Sequence, residues 1–216
     1  MFKPGNIAKT LAAAFTYVSV SAHDAAAAEI DLPMTTGART GQPIGHHEFC
    51  KEFPSECKAG TNQGPMTMNQ QRWDQLIIVN DIVNTTVTAK LDIDAYQVDE
   101  LWTYPDEFGD CEDYMLEKER WLKGMGWHQS QLIKTVVTQP NGDGHAVLTV
   151  RTDEGDFVLD NLDPMIKRWD FTVRSRLNPS GYDYVKRQSV YNPNVWYDII
   201  PNTAKQVAAT SAPASP

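Results

Sequence analysis

The chain has 216 residues, enough for one catalytic-sized domain with a substantial core. Its 41% hydrophobic and 22% charged residues, with 13 Gly and 13 Pro, exclude collagen-like, wholly disordered and multispan membrane chains. With 19 Lys+Arg against 28 Asp+Glu the formal net charge is −9, which repels phosphate backbones, argues against nucleic acid as a partner and suits cationic ligands, metal ions included.

Lys3 and Lys9 give a positive start, residues 10–22 are apolar or small, and Ala26-Ala27-Ala28 supplies an A-x-A cleavage pattern before Glu29. This predicts a secretory signal over residues 1–28, too short and too diluted by Thr and Ser for a spanning helix of about 20 residues. No later segment is apolar enough to span a bilayer, so the mature product is expected outside the cytoplasm with no stable membrane insertion.

Residues 29–65 are rich in Gly, Pro and Thr and show no sustained period, which predicts an extended arm or loop. Cys50 and Cys57 lie seven apart, within disulfide reach across a loop or one helical turn, and an oxidising compartment would leave Cys111 single. A metal site from His46, His47, Cys50 and Cys57 is the competing reading, but C-x6-C matches no standard zinc pattern. From Asn69 to Val83, Trp73, Leu76, Ile77, Val79, Asn80 and Val83 follow helical spacing, with Thr67 as an N-cap. Residues 91–109 are acidic and aromatic, are broken by Pro105 and Gly109, and read as a loop.

A second helix is expected from Asp110-Cys111, with Asp110 as N-cap, Glu112 and Asp113 as first-turn acids, and an apolar stripe through Cys111, Tyr114, Met115, Trp121, Leu122 and Met125. Gly124 or Gly126 ends it. The period then changes to two: residues 131–138, 146–151, 157–160, 169–174 and 182–189 read as strands separated by Gly-, Pro- and Asn-rich turns. Helices followed by antiparallel strands make an α+β domain. The tail, residues 203–216, has a disordered composition.

A cysteine at a helix N-terminus sits where unpaired N–H groups and the helix dipole favour a thiolate and a developing oxyanion. Cys111 is placed so. A thiolate nucleophile needs an imidazole to move the proton and a third group to orient the imidazole. His145 follows the turn N-G-D-G at the head of a strand, and Asp160 lies fifteen residues on, along the next strand. A hairpin with an even-numbered loop puts both on one face, opposite each other if the turn centres on Thr152-Asp153 and diagonal if it centres on Glu154-Gly155. Spacing alone leaves three ordinary alternatives open: an inert buried thiol, a surface turn histidine and a cap acid.

Taken together, G-D-C-E-D-Y (109–114), the following K-x-x-x-L, G-H-A-V-L (144–148), V-L-D-N (158–161) and the upstream W-x-x-L-x-x-V-N-x-x-V-N (73–84) resemble the bacterial transglutaminase-like cysteine proteinases, the LapG-like periplasmic proteases. The resemblance covers most of residues 67–163. It implies a papain/transglutaminase-type core in a single peptidase domain over 29–202, with the nucleophile at a helix N-terminus packed on an antiparallel sheet. Cys111 is then the nucleophile, His145 the general base and acid, and Asp160 the orienting carboxylate. Family members are calcium-dependent, which maps ion binding onto Asp110 and Glu112 with Asp113 as a third ligand. The run D-C-E-D behind Asp106 and Glu107 supplies the hard oxygens Ca²⁺ prefers. The resemblance further implies a periplasmic endopeptidase that cuts a large surface adhesin and is held inactive by the periplasmic domain of a cyclic-di-GMP receptor. Transfer of the acyl group to an amine, as in a transglutaminase or amidase, and a non-catalytic calcium-binding regulatory module are the alternatives. Trp102 and Tyr104 are expected to pack in the core rather than to touch substrate.

Overall fold

The computed structural model describes residues 33–200. The predicted signal segment and the tail from 203 lie outside the described residues. Nine strands and five helices follow in the order β1 (Thr36–Thr40), α1 (Ile44–Glu52), α2 (Gln70–Thr86), β2 (Thr88–Ala89), α3 (Asp92–Ala95), β3 (Phe108–Gly109), α4 (Cys111–Gly124), β4 (Leu132–Thr138), β5 (Gly144–Thr152), β6 (Gly155–Leu159), β7 (Lys167–Arg168), α5 (Trp169–Thr172), β8 (Asp183–Gln188) and β9 (Trp196–Ile199). Seven strands form an antiparallel sheet in the order β1-β9-β8-β4-β5-β6-β7. No described helix is long and apolar enough to cross a membrane.

The central strands are buried on both faces, β5 without a break from His145 to Val150, and their side chains alternate between two clusters. From β5, Ala146, Leu148 and Val150 join Leu132 and Leu159 in a core shared with Leu76, Val79 and Val83 of α2 and with Tyr114, Met115, Leu116 and Leu122 of α4. On the opposite parity, Val147 joins Val137, Val158, Trp169 and Tyr184 in a second cluster. The helix α4 is no simple one-striped helix, since residues 112–119 are all buried, including Glu112, Asp113, Glu117, Lys118 and Glu119. Such charges need partners. Glu119 pairs with buried Lys134 of β4, and Glu117 accepts from Arg120 and Trp121.

The expected arm is more structured than its composition suggests. Residues 36–40 pair with β9 at the sheet edge, and residues 44–52 form α1, whose Gly45 lets Trp102 pack directly against it. Cys50 and Cys57 are joined by a disulfide with Cα atoms 5.5 Å apart, as expected, and Cys111 is the free cysteine. The two sulfurs are therefore committed to each other, while buried His46 lies against Cys50 and His47 is exposed.

Three sequence expectations shift. Asn69, not Thr67, caps α2, its Oδ1 accepting from Arg72 N–H at 2.9 Å, because the helix starts at Gln70. Ile77 is 55% exposed, so the buried face is Leu76, Val79, Asn80 and Val83. Residues 169–172 form the short helix α5 instead of a strand, with Trp169 buried and Thr172 Oγ1 bonded back to Trp169 O.

Candidate active site

The strand pair β5–β6 fixes half of the site. Thr152 pairs with Gly155 across a two-residue loop, Asp153-Glu154; neither loop residue takes a positive φ, which falls on Gly155 at 116°, a conformation that glycine adopts without steric cost. The loop is even-numbered, so His145 and Asp160 share a face. Leu148 pairs with Leu159, and extending that register sets Asp160 level with Val147, diagonal to His145 and between the two registers weighed from the sequence. The strand ends at Leu159, which frees Asp160 to lean across the diagonal. His145 Nε2 lies 2.8 Å from Asp160 Oδ1, with the residues 4% and 3% exposed.

Asp160 is held from every side. Its Oδ1 also accepts from Leu162 N–H at 2.9 Å, its Oδ2 accepts from the Tyr182 hydroxyl at 2.5 Å, and its backbone carbonyl accepts from Asn84 Nδ2 at 2.8 Å. Burial alone would raise its pKa, but the His145, Tyr182 and Leu162 hydrogen bonds outweigh it and hold the carboxyl below the usual range. Lys118 of α4, 1% exposed, feels the same charge, yet burial pushes its pKa down to about 7.

Cys111 opens α4, with Asp110 as an extended N-cap residue whose side chain makes no capping bond. The backbone N–H of Ala146, next to His145, faces the sulfur, so nucleophile and imidazole strand meet there. The thiol does not hydrogen-bond the imidazole. It donates instead to Glu112 Oε2 at 3.1 Å, while the His145 nitrogen that is bonded, Nε2, faces Asp160. Burial first, then the Glu112 charge and hydrogen bond, push the thiol well above its usual range, reversing what a helix N-terminus alone gives.

The acids beside the nucleophile divide into two groups. Asp110 and Asp113 meet Asp92 of α3, with one carboxylate oxygen of each within 4.8 Å of the others. Asp113 reaches this place because Gly109 has no Cβ, which would lie 2.8 Å from Asp113 Cβ and 2.9 Å from its Oδ2. Asp113 Oδ1 accepts from Thr103 N–H at 2.9 Å, Asp92 Oδ2 accepts from Leu101 N–H, and Asp110 Oδ2 accepts from Asp92 N–H at 3.3 Å. The second oxygens of all three, Asp92 Oδ1, Asp110 Oδ1 and Asp113 Oδ2, are buried without a hydrogen-bond partner. Burial and mutual repulsion push Asp92 up to about 6 and Asp113 up to about 8. Glu112, predicted as a ligand, lies outside the trio, against Asp110 and Cys111, and burial drives it up to about 10. Three clustered carboxylates, each with a buried oxygen that has no hydrogen-bond partner, are a donor set that fits a hard cation such as Ca²⁺.

Trp102 and Tyr104 pack as expected. Trp102 is buried, with its indole N–H donating to Glu100 and its ring edge on His46, and Tyr104 packs on Phe49, Phe53 and the Arg120 guanidinium.

The model of the bacterial transglutaminase-like cysteine proteinase family matches residues 36–204, a span that contains the whole site. The chain belongs to this family. The proteinase is accordingly a thiol peptidase, and its α+β core is of the papain/transglutaminase type. Among solved structures it is similar to calcium-bound Legionella pneumophila LapG, with 24% identity over 58% of this chain and 68% of that one at a TM-score of 0.45. EGTA-treated LapG of the same organism gives 24% identity, 61% and 68% coverage and a TM-score of 0.45. A third LapG structure gives 22%, 63% and 75%, and 0.43. No curated protein matches the chain.

Proposed function

We propose that this proteinase is an exported, calcium-dependent endopeptidase that works through Cys111, His145 and Asp160. The observation that carries the reading is the buried His145–Asp160 hydrogen bond of 2.8 Å beside a cysteine at the start of α4. With Nε2 engaged by Asp160, Nδ1 is the ring nitrogen left to take the thiol proton. The Cys111 sulfur attacks the peptide carbonyl carbon, His145 returns its proton to the leaving amine, and a thioester remains. Water, deprotonated by the same imidazole, then opens the thioester to a carboxylic acid and restores the thiol. Asp160 holds the ring and balances its positive charge throughout.

Asp92, Asp110 and Asp113 are the residues that would hold calcium, with Glu112 next to them and against the thiol. Bound Ca²⁺ supplies positive charge where buried carboxylates otherwise oppose a thiolate. The Cys50–Cys57 bridge suits an oxidising compartment such as the periplasm. Family membership supports a large surface adhesin as substrate and a membrane cyclic-di-GMP receptor as regulator. The test is purified protein incubated with cell-surface extract, with calcium or with chelator, followed by mass spectrometry of released fragments and of the Cys111 acyl adduct. Fragments and adduct are expected only with calcium and never from Cys111→Ala; equal cleavage by that variant would refute the reading.

A further inference from the structure

Tyr182 lies beyond the segment that resembles the family motifs, at the head of β8, yet it is built into the site. Its hydroxyl donates to Asp160 Oδ2 at 2.5 Å, the oxygen not used by His145, and its ring lies against the imidazole with centroids 5.5 Å apart. A carboxylate turns easily about its last torsion. With Oδ1 shared between His145 and Leu162 N–H, a donor on Oδ2 removes that freedom.

The chain takes trouble to put the phenol there. Tyr182 N–H donates to Thr172 O at 2.7 Å and its carbonyl accepts from Arg174 N–H at 2.7 Å, which lashes it to the segment after α5. Asn178 ties the same loop by donating to Phe171 O and Val173 O. Gly181 closes it: a Cβ there would lie 2.6 Å from Thr172 O and 2.7 Å from the Val173 carbonyl carbon. Asp160 and Tyr182 both line a surface cleft of about 270 Å³, yet Asp160 is 3% exposed. Besides His145 and Asp160, Asp163, Lys167 and Tyr184 are titratable groups near the phenol.

We infer that Tyr182 is a positioning residue of the peptidase site, its hydroxyl locking Asp160 in the orientation that aligns His145 with Cys111. The inference rests on reading Cys111, His145 and Asp160 as the triad. Positioning predicts a signature that packing does not. Without the hydroxyl the imidazole is less well aligned, so the thiol gives up its proton only at higher pH.

The test is the rate of Cys111 alkylation by iodoacetamide against pH, on the full chain with calcium chloride present. Tyr182→Phe keeps the ring and loses the hydroxyl. Its curve is expected to move part of the way toward that of His145→Ala, with alkylation roughly tenfold slower near neutral pH, the order expected for losing a hydrogen bond to a charged group. Tyr184→Phe is the control, because it deletes a neighbouring hydroxyl that bonds Thr172 and leaves Asp160 untouched; its curve should match wild type. A Tyr182→Phe curve superimposed on wild type while His145→Ala shifts would overturn the role of Tyr182 alone. A Tyr182→Phe shift no larger than that of Tyr184→Phe would do the same. A His145→Ala curve identical to wild type would overturn the triad and, with it, this inference.

Discussion

Replacing Asp160 by Asn and by Ala separates its charge from its hydrogen bonds. In Asp160→Asn the amide oxygen can stay where Oδ1 accepts from His145 and Leu162, and the amide NH₂ can donate to the Tyr182 oxygen, which becomes the acceptor. Every group keeps a partner and only the charge is lost. In Asp160→Ala three donors lose their acceptor: the buried imidazole N–H, the part-buried Leu162 N–H and the part-buried phenol. At about 1–3 kcal/mol for each stranded group, less where water can enter, the Ala variant should lose roughly 3–5 kcal/mol. For a domain of this size that is on the order of 10 °C in Tm. The Asn variant should lose much less, because only the stabilisation of a carboxylate held below its ordinary pKa goes with the charge. That contribution is present above about pH 4, the unfolded value, and is lost as pH falls through the depressed folded value. Peptidase activity should fall roughly 10²–10⁴-fold in both variants, because neither has a charge to balance the imidazolium. Urea unfolding followed by Trp fluorescence, from pH 3 to 7, with cleavage assays alongside, measures both quantities. An Asn variant that keeps wild-type activity, or one as unstable as the Ala variant, would refute the assignment.

Cys111→Ala should abolish cleavage while the Tm stays within a few degrees of wild type, measured by differential scanning calorimetry. Calcium chloride should raise the wild-type Tm more than magnesium chloride does, and Asp92→Ala should lose most of that rise; an undiminished rise in Asp92→Ala would remove it from the ion site. The non-reduced protein should titrate one free thiol and the reduced protein three, with reduction lowering the unfolding free energy by roughly 2–3 kcal/mol for so short a loop. Burial holds Lys118 near 7, so between there and the unfolded value near 10.5 the unfolded chain binds more protons and stability rises with pH. Lys118→Met should therefore be more stable than wild type at pH 6, by up to about 5 kcal/mol at roughly 1.4 kcal/mol per unit, with the gap closing by pH 10; a gap that does not change with pH would refute a buried titrating lysine.

What the sequence discloses follows from which interactions are local. The helix from Cys111, with acids in its first turn, and the strands around Asp153-Glu154 carry local patterns, so Cys111, His145 and Asp160 stand out as candidates, while the register that brings the last two together does not. The strand β1, Thr-Gly-Ala-Arg-Thr, has no apolar alternation, being an edge strand that pairs on one side only with β9. Its existence depends on a partner far along the chain. Trp169, Phe171 and Val173 alternate like a strand, yet the Thr172 hydroxyl and tertiary packing of Trp169 turn the segment into a helix. At the acids, Asp92 is one of six carboxylates between 91 and 109, and no local signal picks it over the others. It is Gly109, by admitting Asp113, and the long-range fold of α3 that select it. Glu112 sits in the same motif, against Asp110 and accepting from the Cys111 thiol. Tyr182 offered only the start of a period-two strand.

The local hairpin that joins His145 to Asp160 has a bearing on how the chain becomes active. Only fifteen residues separate this pair, and a two-residue loop brings them together, so the closure entropy is small and the pair can form early in folding. Cys111 comes in on α4, whose buried stretch, residues 112–119, packs against α2 and β5. His145 and Asp160 are thus expected to meet before Cys111 reaches them. A partly folded chain would carry the proton-transfer half of the machinery beside an unpositioned thiol, and would not cut its neighbours while its own loops are still exposed. In pulse labelling during refolding, amides of β5 and β6 should gain protection from exchange before Cys111 acquires the alkylation behaviour of the native enzyme. Simultaneous arrival of both signals would show that the site is assembled in a single step.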